Sequence, residues 1–85
     1  MNRELLDGSQ REYSIDIRGE QCPRTFVKAK LALEKIELGS ILNILLDNTS
    51  ALENLPRAFM YQGQEYIETK RLSDSEWVIR IRRKK

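Results

Sequence analysis

Apolar and polar positions alternate along the chain in a way that predicts four strands and two helices. Tyr13, Ile15 and Ile17 alternate with Ser14, Asp16 and Arg18, the period-two pattern of a half-buried strand. Gly19 breaks the loop that follows. Phe26, Ala29, Leu33 and Ile36 then recur at helical spacing, joined by Val27, Leu31 and Ala32, while Lys28, Lys30, Glu34 and Lys35 fall mainly on the opposite face. Pro23 suits the first position of this helix, where its missing N–H would be unpaired anyway. Gly39 lies beyond a helix end expected near Ile36 or Glu37.

The Ile- and Leu-rich run from Ile41 to Leu46 is too short for a helix and reads as a well-buried strand. Asp47, Asn48, Thr49 and Ser50 are all cap-forming residues, and Ser50 with Glu53 has the spacing of a capping box. A second helix is expected from there to Gln62, with Gly63 as its stop. Pro56 inside it predicts a break or kink, with a first turn at 49–54 and a firmer helix from Leu55. Residues 65–72 are strand-like but weakly patterned, and Ser73-Asp74-Ser75 forms a turn. Trp77, Ile79 and Ile81 alternate with Val78, Arg80 and Arg82 in a last strand.

The order is therefore β-α-β-α-β-β, with right-handed crossovers expected at both strand–helix–strand steps. A chain of 85 residues is one domain. Two helices cover one face of a four-stranded mixed sheet, which gives a two-layer α/β (α+β) sandwich. Residues 1–11 are polar, contain Gly8-Ser9 and read as a flexible N-terminal extension, leaving 12–85 as the domain. No apolar run approaches the ~20 residues that span a bilayer. The first residues have no apolar central stretch, so a cytoplasmic location without membrane association is expected.

Charge adds little by its total, since 15 Lys and Arg against 13 Asp and Glu leave +2. Its distribution says more: Arg80, Arg82, Arg83, Lys84 and Lys85 crowd the last six residues. Arg80 and Arg82 should point away from the core side of the last strand, either as a solvated face that protects an edge or as a contact surface for RNA or an acidic protein. Residues 83–85 read as a solvated end that the fold does not need.

One cysteine and no histidine bound the chemistry. A lone cysteine makes no internal disulfide. It cannot supply the ligand set of an ordinary zinc site, and no Cys-His or Ser-His pair exists. Cys22 itself falls in a loop after a strand, beside Gly19 and at the mouth of a predicted helix. A helix N-terminus favours an anion, and the thiolate is the reactive form of cysteine. The helix end alone, at about 0.3–1 kcal/mol, lowers a thiol pKa by well under a unit. Arg18 and Arg24 flank the site and favour the thiolate, whereas Glu20 opposes it. Gly19 serves the loop backbone.

The segment Ile15-Asp16-Ile17-Arg18-Gly19-Glu20-Gln21-Cys22-Pro23 resembles the TusA/SirA-like sulfur-carrier family, named for tRNA 2-thiouridine synthesis. The resemblance runs from about Tyr13 to Arg82. It takes in Lys28 and Leu31 of the first helix, Gly39, Leu55-Pro56-Arg57 and Gly63-Gln64-Glu65, and Asp47-Asn48 stands where the family often has two acidic residues. The family implies a two-layer sandwich and a Cys-Pro-x-Pro motif whose cysteine takes sulfane sulfur as a persulfide, commonly from a cysteine desulfurase, and relays it to a downstream acceptor. By match, Cys22 is that cysteine, Pro23 the helix-starting proline and Arg18-Gly19 the loop before it. No cofactor beyond the covalent persulfide is implied, and no metal. Thr25 departs from the motif, standing where its second proline would be, at an edge expected to be read by a partner.

Three functions follow. The first is a sulfurtransferase-type carrier acting with donor and acceptor proteins, tRNA thiolation being one destination. The second is an RNA-binding module using the basic last strand, since the expected fold also resembles the C-terminal domain of a bacterial translation initiation factor. The third is a redox regulator acting through intermolecular disulfides of Cys22.

Overall fold

Leu42, Ile44 and Leu46 of one strand and Ile79 and Ile81 of another turn the same way and are fully buried against Ala29, Leu33, Ala51, Leu55 and Phe59. These residues form the core of the computed structural model, which describes residues 11–21 and 24–85. The elements are β1 (Glu12–Asp16), α1 (Arg24–Glu34), β2 (Ile41–Leu46), α2 (Thr49–Tyr61), β3 (Glu65–Arg71) and β4 (Trp77–Arg82). The four strands make one mixed sheet in the order β1-β2-β4-β3. β1 and β2 run parallel, and β4 lies antiparallel between β2 and β3. Both helices contribute to the one core, and the Phe26 and Phe59 rings meet at 5.3 Å, so they share one face of the sheet. The expected α+β sandwich is the observed fold.

The expectations for α2 need two corrections. Its N-cap is Asn48, whose Oδ1 accepts from the N–H groups of Ser50 at 2.8 Å and Ala51 at 3.2 Å. Ser50 is thus already inside the helix and is not the cap. Asparagine is among the strongest N-cap residues, and here it directly follows β2. Nor does Pro56 break α2, which runs unbroken from Thr49 to Tyr61. Ala51, Leu55 and Phe59 lie four apart on the buried face, and only an unbroken helix delivers all three to the core.

Gly63 stops α2 as expected, at φ +89°. Its N–H donates to Met60 and that of Gln64 to Phe59, the paired bonds of a Schellman ending. α1 ends at Glu34, earlier than the pattern predicted, and Ile36 stays buried beyond it. The weak pattern of β3 has a physical origin: the register slips between Tyr66 and Glu68, so Ile67 is an extra residue that shifts the alternation.

The other face of the sheet carries charge in register. Glu12, Ile41, Arg82 and Glu65 line up across the four strands, as do Ser14, Asn43, Arg80 and Glu68. Arg80 donates to Glu68 at 2.7 Å, Glu12 at 3.0 Å and the side-chain Oδ1 of Asn43 at 3.0 Å. Arg82 pairs with Glu65. Each of these arginines of the last strand therefore has a carboxylate partner. Among the described residues no helix is long and apolar enough to cross a membrane.

Candidate functional site

β1 and β2 are parallel neighbours, so the loops leaving their C-terminal ends meet. One loop is residues 18–21, which leads toward Cys22; the other is Asp47-Asn48. Cys22 and Pro23, the expected sulfur-bearing residue and the expected start of the helix, lie outside the described residues, as do residues 1–10 of the expected extension. The chain on either side of 22–23 is well defined by its partners.

Arg18 opens the loop. Its guanidinium grips Asp16 through Nε at 3.0 Å and Nη2 at 2.8 Å, and its Nη1 reaches Glu76 at 2.9 Å. The Arg18 hydrogen bonds hold Asp16 well below its ordinary carboxylate pKa, at about 2. Asp16 and Glu76 push the guanidinium up in turn. Arg18 is thus charged and paired with two carboxylates, which reduces what it can offer a nearby thiolate.

Gly19 follows with φ +85°, a left-handed conformation that a side chain disfavours. Its N–H donates to Oδ1 of Asp47 at 3.0 Å. The Glu20 N–H turns back to the Ile17 carbonyl at 3.2 Å, and its carboxylate pairs with Lys28 of α1. The Glu20 carbonyl accepts from Nδ2 of Asn48 at 3.4 Å. The Gln21 carbonyl then receives both the Arg24 N–H at 2.7 Å and the Thr25 N–H at 3.3 Å, which closes the turn into α1.

The supporting residues expected from sequence therefore separate. Arg18 and Gly19 are fixed in the loop. Arg24 is exposed at the start of α1. Thr25 is buried, with 1% of its surface exposed, and so does not form a partner-facing edge. Arg80, Arg82, Arg83, Lys84 and Lys85 lie in or after β4 and belong to the sheet and its continuation, not to this loop. Sequence reasoning missed Asp16, Glu76, Lys28 and the pair Asp47-Asn48 as loop partners. Asp47-Asn48 stood out as cap formers and in the family resemblance but not as partners of this loop, and Glu76, 58 residues from Arg18, gave no signal. Carboxylates outnumber cations around the loop by one: Arg18, Arg24 and Lys28 stand against Asp16, Glu20, Asp47 and Glu76.

Beside the start of α1 the surface turns apolar. A groove of about 510 Å³ between the helices is lined by Phe26, Asn54, Arg57, Ala58, Tyr61 and Gln62. Tyr61 is 93% exposed, and Val27 and Leu31 on α1 are about half exposed.

Residues 13–83 match the family described as Sulfurtransferase TusA, and the chain belongs to that family. It is 39% identical over 70 residues, 82% of this chain and 80% of the relative, to a "Putative sulfur carrier protein" of Archaeoglobus fulgidus. A Thermotoga maritima protein of the same description is 35% identical over 81% of this chain and 87% of its own length. The crystal structure of a SirA-like protein from Desulfitobacterium hafniense superposes with a TM-score of 0.67 at 29% identity, covering 86% of this chain and 99% of that one.

Proposed function

We propose that this chain is a cytoplasmic persulfide carrier that loads sulfane sulfur on Cys22 and passes it to an acceptor. The observation that supports this best is the bracing of residues 18–21, immediately before the only cysteine, by Asp16, Glu76, Asp47, Asn48 and Lys28. Membership of the TusA family adds to it.

In loading, the Cys22 thiolate attacks the outer sulfur of a donor cysteine persulfide. A sulfur–sulfur bond forms at Cys22, the bond within the donor persulfide breaks, and the donor cysteine leaves as a thiolate with the electron pair. No net oxidation occurs and no histidine is required. Delivery is the same exchange in reverse, with the acceptor as nucleophile. Arg24, exposed at the N-terminus of α1, is the cation best placed in sequence to favour the thiolate. The donor is a protein such as a cysteine desulfurase, the acceptor is a downstream carrier or enzyme, and tRNA thiolation is one destination.

The nucleic-acid reading loses its main support, because Arg80 and Arg82 are paired with Glu12, Glu65 and Glu68 across the sheet.

The test is intact mass after incubation with a cysteine desulfurase and cysteine. Wild type is expected to gain the mass of one sulfur atom, removable by reductant, and Cys22→Ser to gain none. Sulfur retained by Cys22→Ser would overturn the assignment.

A further inference from the structure

Asp47 and Asn48 do two jobs at one point in the fold. Asn48 caps α2 through Oδ1, which accepts from Ser50 and Ala51. Those two backbone donors fix which end of the amide is oxygen. The nitrogen must then face the other way, where it meets the Glu20 carbonyl. Asp47, one residue earlier, accepts the Gly19 N–H at 3.0 Å. Gly19 is held at φ +85° with nothing within 4 Å of where a Cβ would be, so no side-chain packing constrains it. Its contact across the fold is the hydrogen bond to Asp47.

The geometry points to Asp47 and Asn48 as positioning residues that set the course of residues 18–21 ahead of the sulfur-bearing position. They act on the backbone of two consecutive residues of that loop, Asp47 as acceptor from Gly19 and Asn48 as donor to Glu20. An aspartate at position 48 would still cap α2 but would have no N–H to give to Glu20. It would also add negative charge to a loop already bordered by Asp16, Glu20, Asp47 and Glu76.

The consequence for sulfur transfer rests on the carrier reading; the bracing does not. Amide hydrogen exchange at Gly19 and alkylation of Cys22 at fixed pH therefore test the inference without any sulfur donor. Asp47→Ala is expected to speed Gly19 exchange about tenfold, the size of one charge-assisted hydrogen bond, and to change the alkylation rate, with the circular dichroism of the fold unchanged. Asp47→Asn, which keeps an acceptor oxygen, is expected to restore most of both. Asn48→Asp is expected to keep the thermal midpoint, because the cap survives, and to slow Cys22 alkylation. Gly19 exchange unaltered by Asp47→Ala, or Asp47→Asn as damaging as Asp47→Ala, would overturn the role of Asp47. Unaltered alkylation in Asn48→Asp would overturn that of Asn48. A wild-type chain that alkylates normally but takes up no sulfur would overturn the carrier reading alone.

Discussion

The guanidinium of Arg83 donates to the Ile36 carbonyl at 2.6 Å, joining the end of the chain to the end of α1. The same Nη1 reaches the Glu34 carbonyl at 3.2 Å. Carbonyls just past a helix have no partner within it, and a cation there also meets the negative end of the helix dipole. The Gln64 side chain binds the N–H groups of Lys84 at 2.7 Å and Lys85 at 3.3 Å. Residues 83–85 are therefore fastened to the domain and are not the dispensable end that their composition suggested. Arg83→Ala is expected to cost about 1 kcal/mol and to lower the melting temperature by several degrees. Deletion of 83–85 should cost more, and a thermal scan showing neither loss would reject the fastening.

Asp16 makes stability depend on acid. Its folded pKa of about 2 lies below its ordinary 3.8, because Arg18 hydrogen-bonds to the ionised form. The unfolded chain therefore takes up this proton first as pH falls. The contribution is complete above about pH 5 and disappears as pH falls through the folded value near 2. Asp16→Asn should flatten the acid limb of a stability–pH curve recorded by denaturant unfolding and leave its shape near neutrality unchanged.

Arg80 sits among Glu12, Glu68 and Asn43, and its hydrogen bond holds Glu68 below the usual carboxylate range. Arg80→Gln leaves two carboxylates without their shared cation. The melting temperature should fall, and fall further in low salt than in high salt. RNA affinity, measured by titration across salt concentrations, should not change. A loss of RNA binding with a flatter salt slope would restore the nucleic-acid reading.

Thr25→Pro restores the second proline of the motif at a buried position in the first turn of α1. It removes the 3.3 Å bond from the Thr25 N–H to the Gln21 carbonyl, but that carbonyl keeps the 2.7 Å bond from Arg24. Proline is tolerated in a first helical turn. The variant should fold, and because residue 25 is covered, loading by a small-molecule persulfide and the choice of protein donor should both match wild type. A changed donor preference would show that the site is read through the course of the loop.

The sequence by itself determined the order of elements, the core and the place of the cysteine. Period-two and helical spacing are local properties, and here they agree with burial: Ile15, Ile17, Leu33, Leu42, Ile44, Leu46, Leu55, Ile79 and Ile81 all face the core. The Gly63 stop and the buried β2 were legible for the same reason. Where tertiary structure decided, local preference met a longer-range demand. Pro56 stays inside α2 because Ala51, Leu55 and Phe59 must reach one core. The cap falls on Asn48 because the chain leaves β2 there. Strand order, the Arg18–Glu76 pair and the meeting of Asp47 with Gly19 join residues far apart in the chain. No pattern of neighbours encodes such contacts. They exist because β1 and β2 lie side by side and parallel, which brings the ends of both strands, and the loops that leave them, to one place.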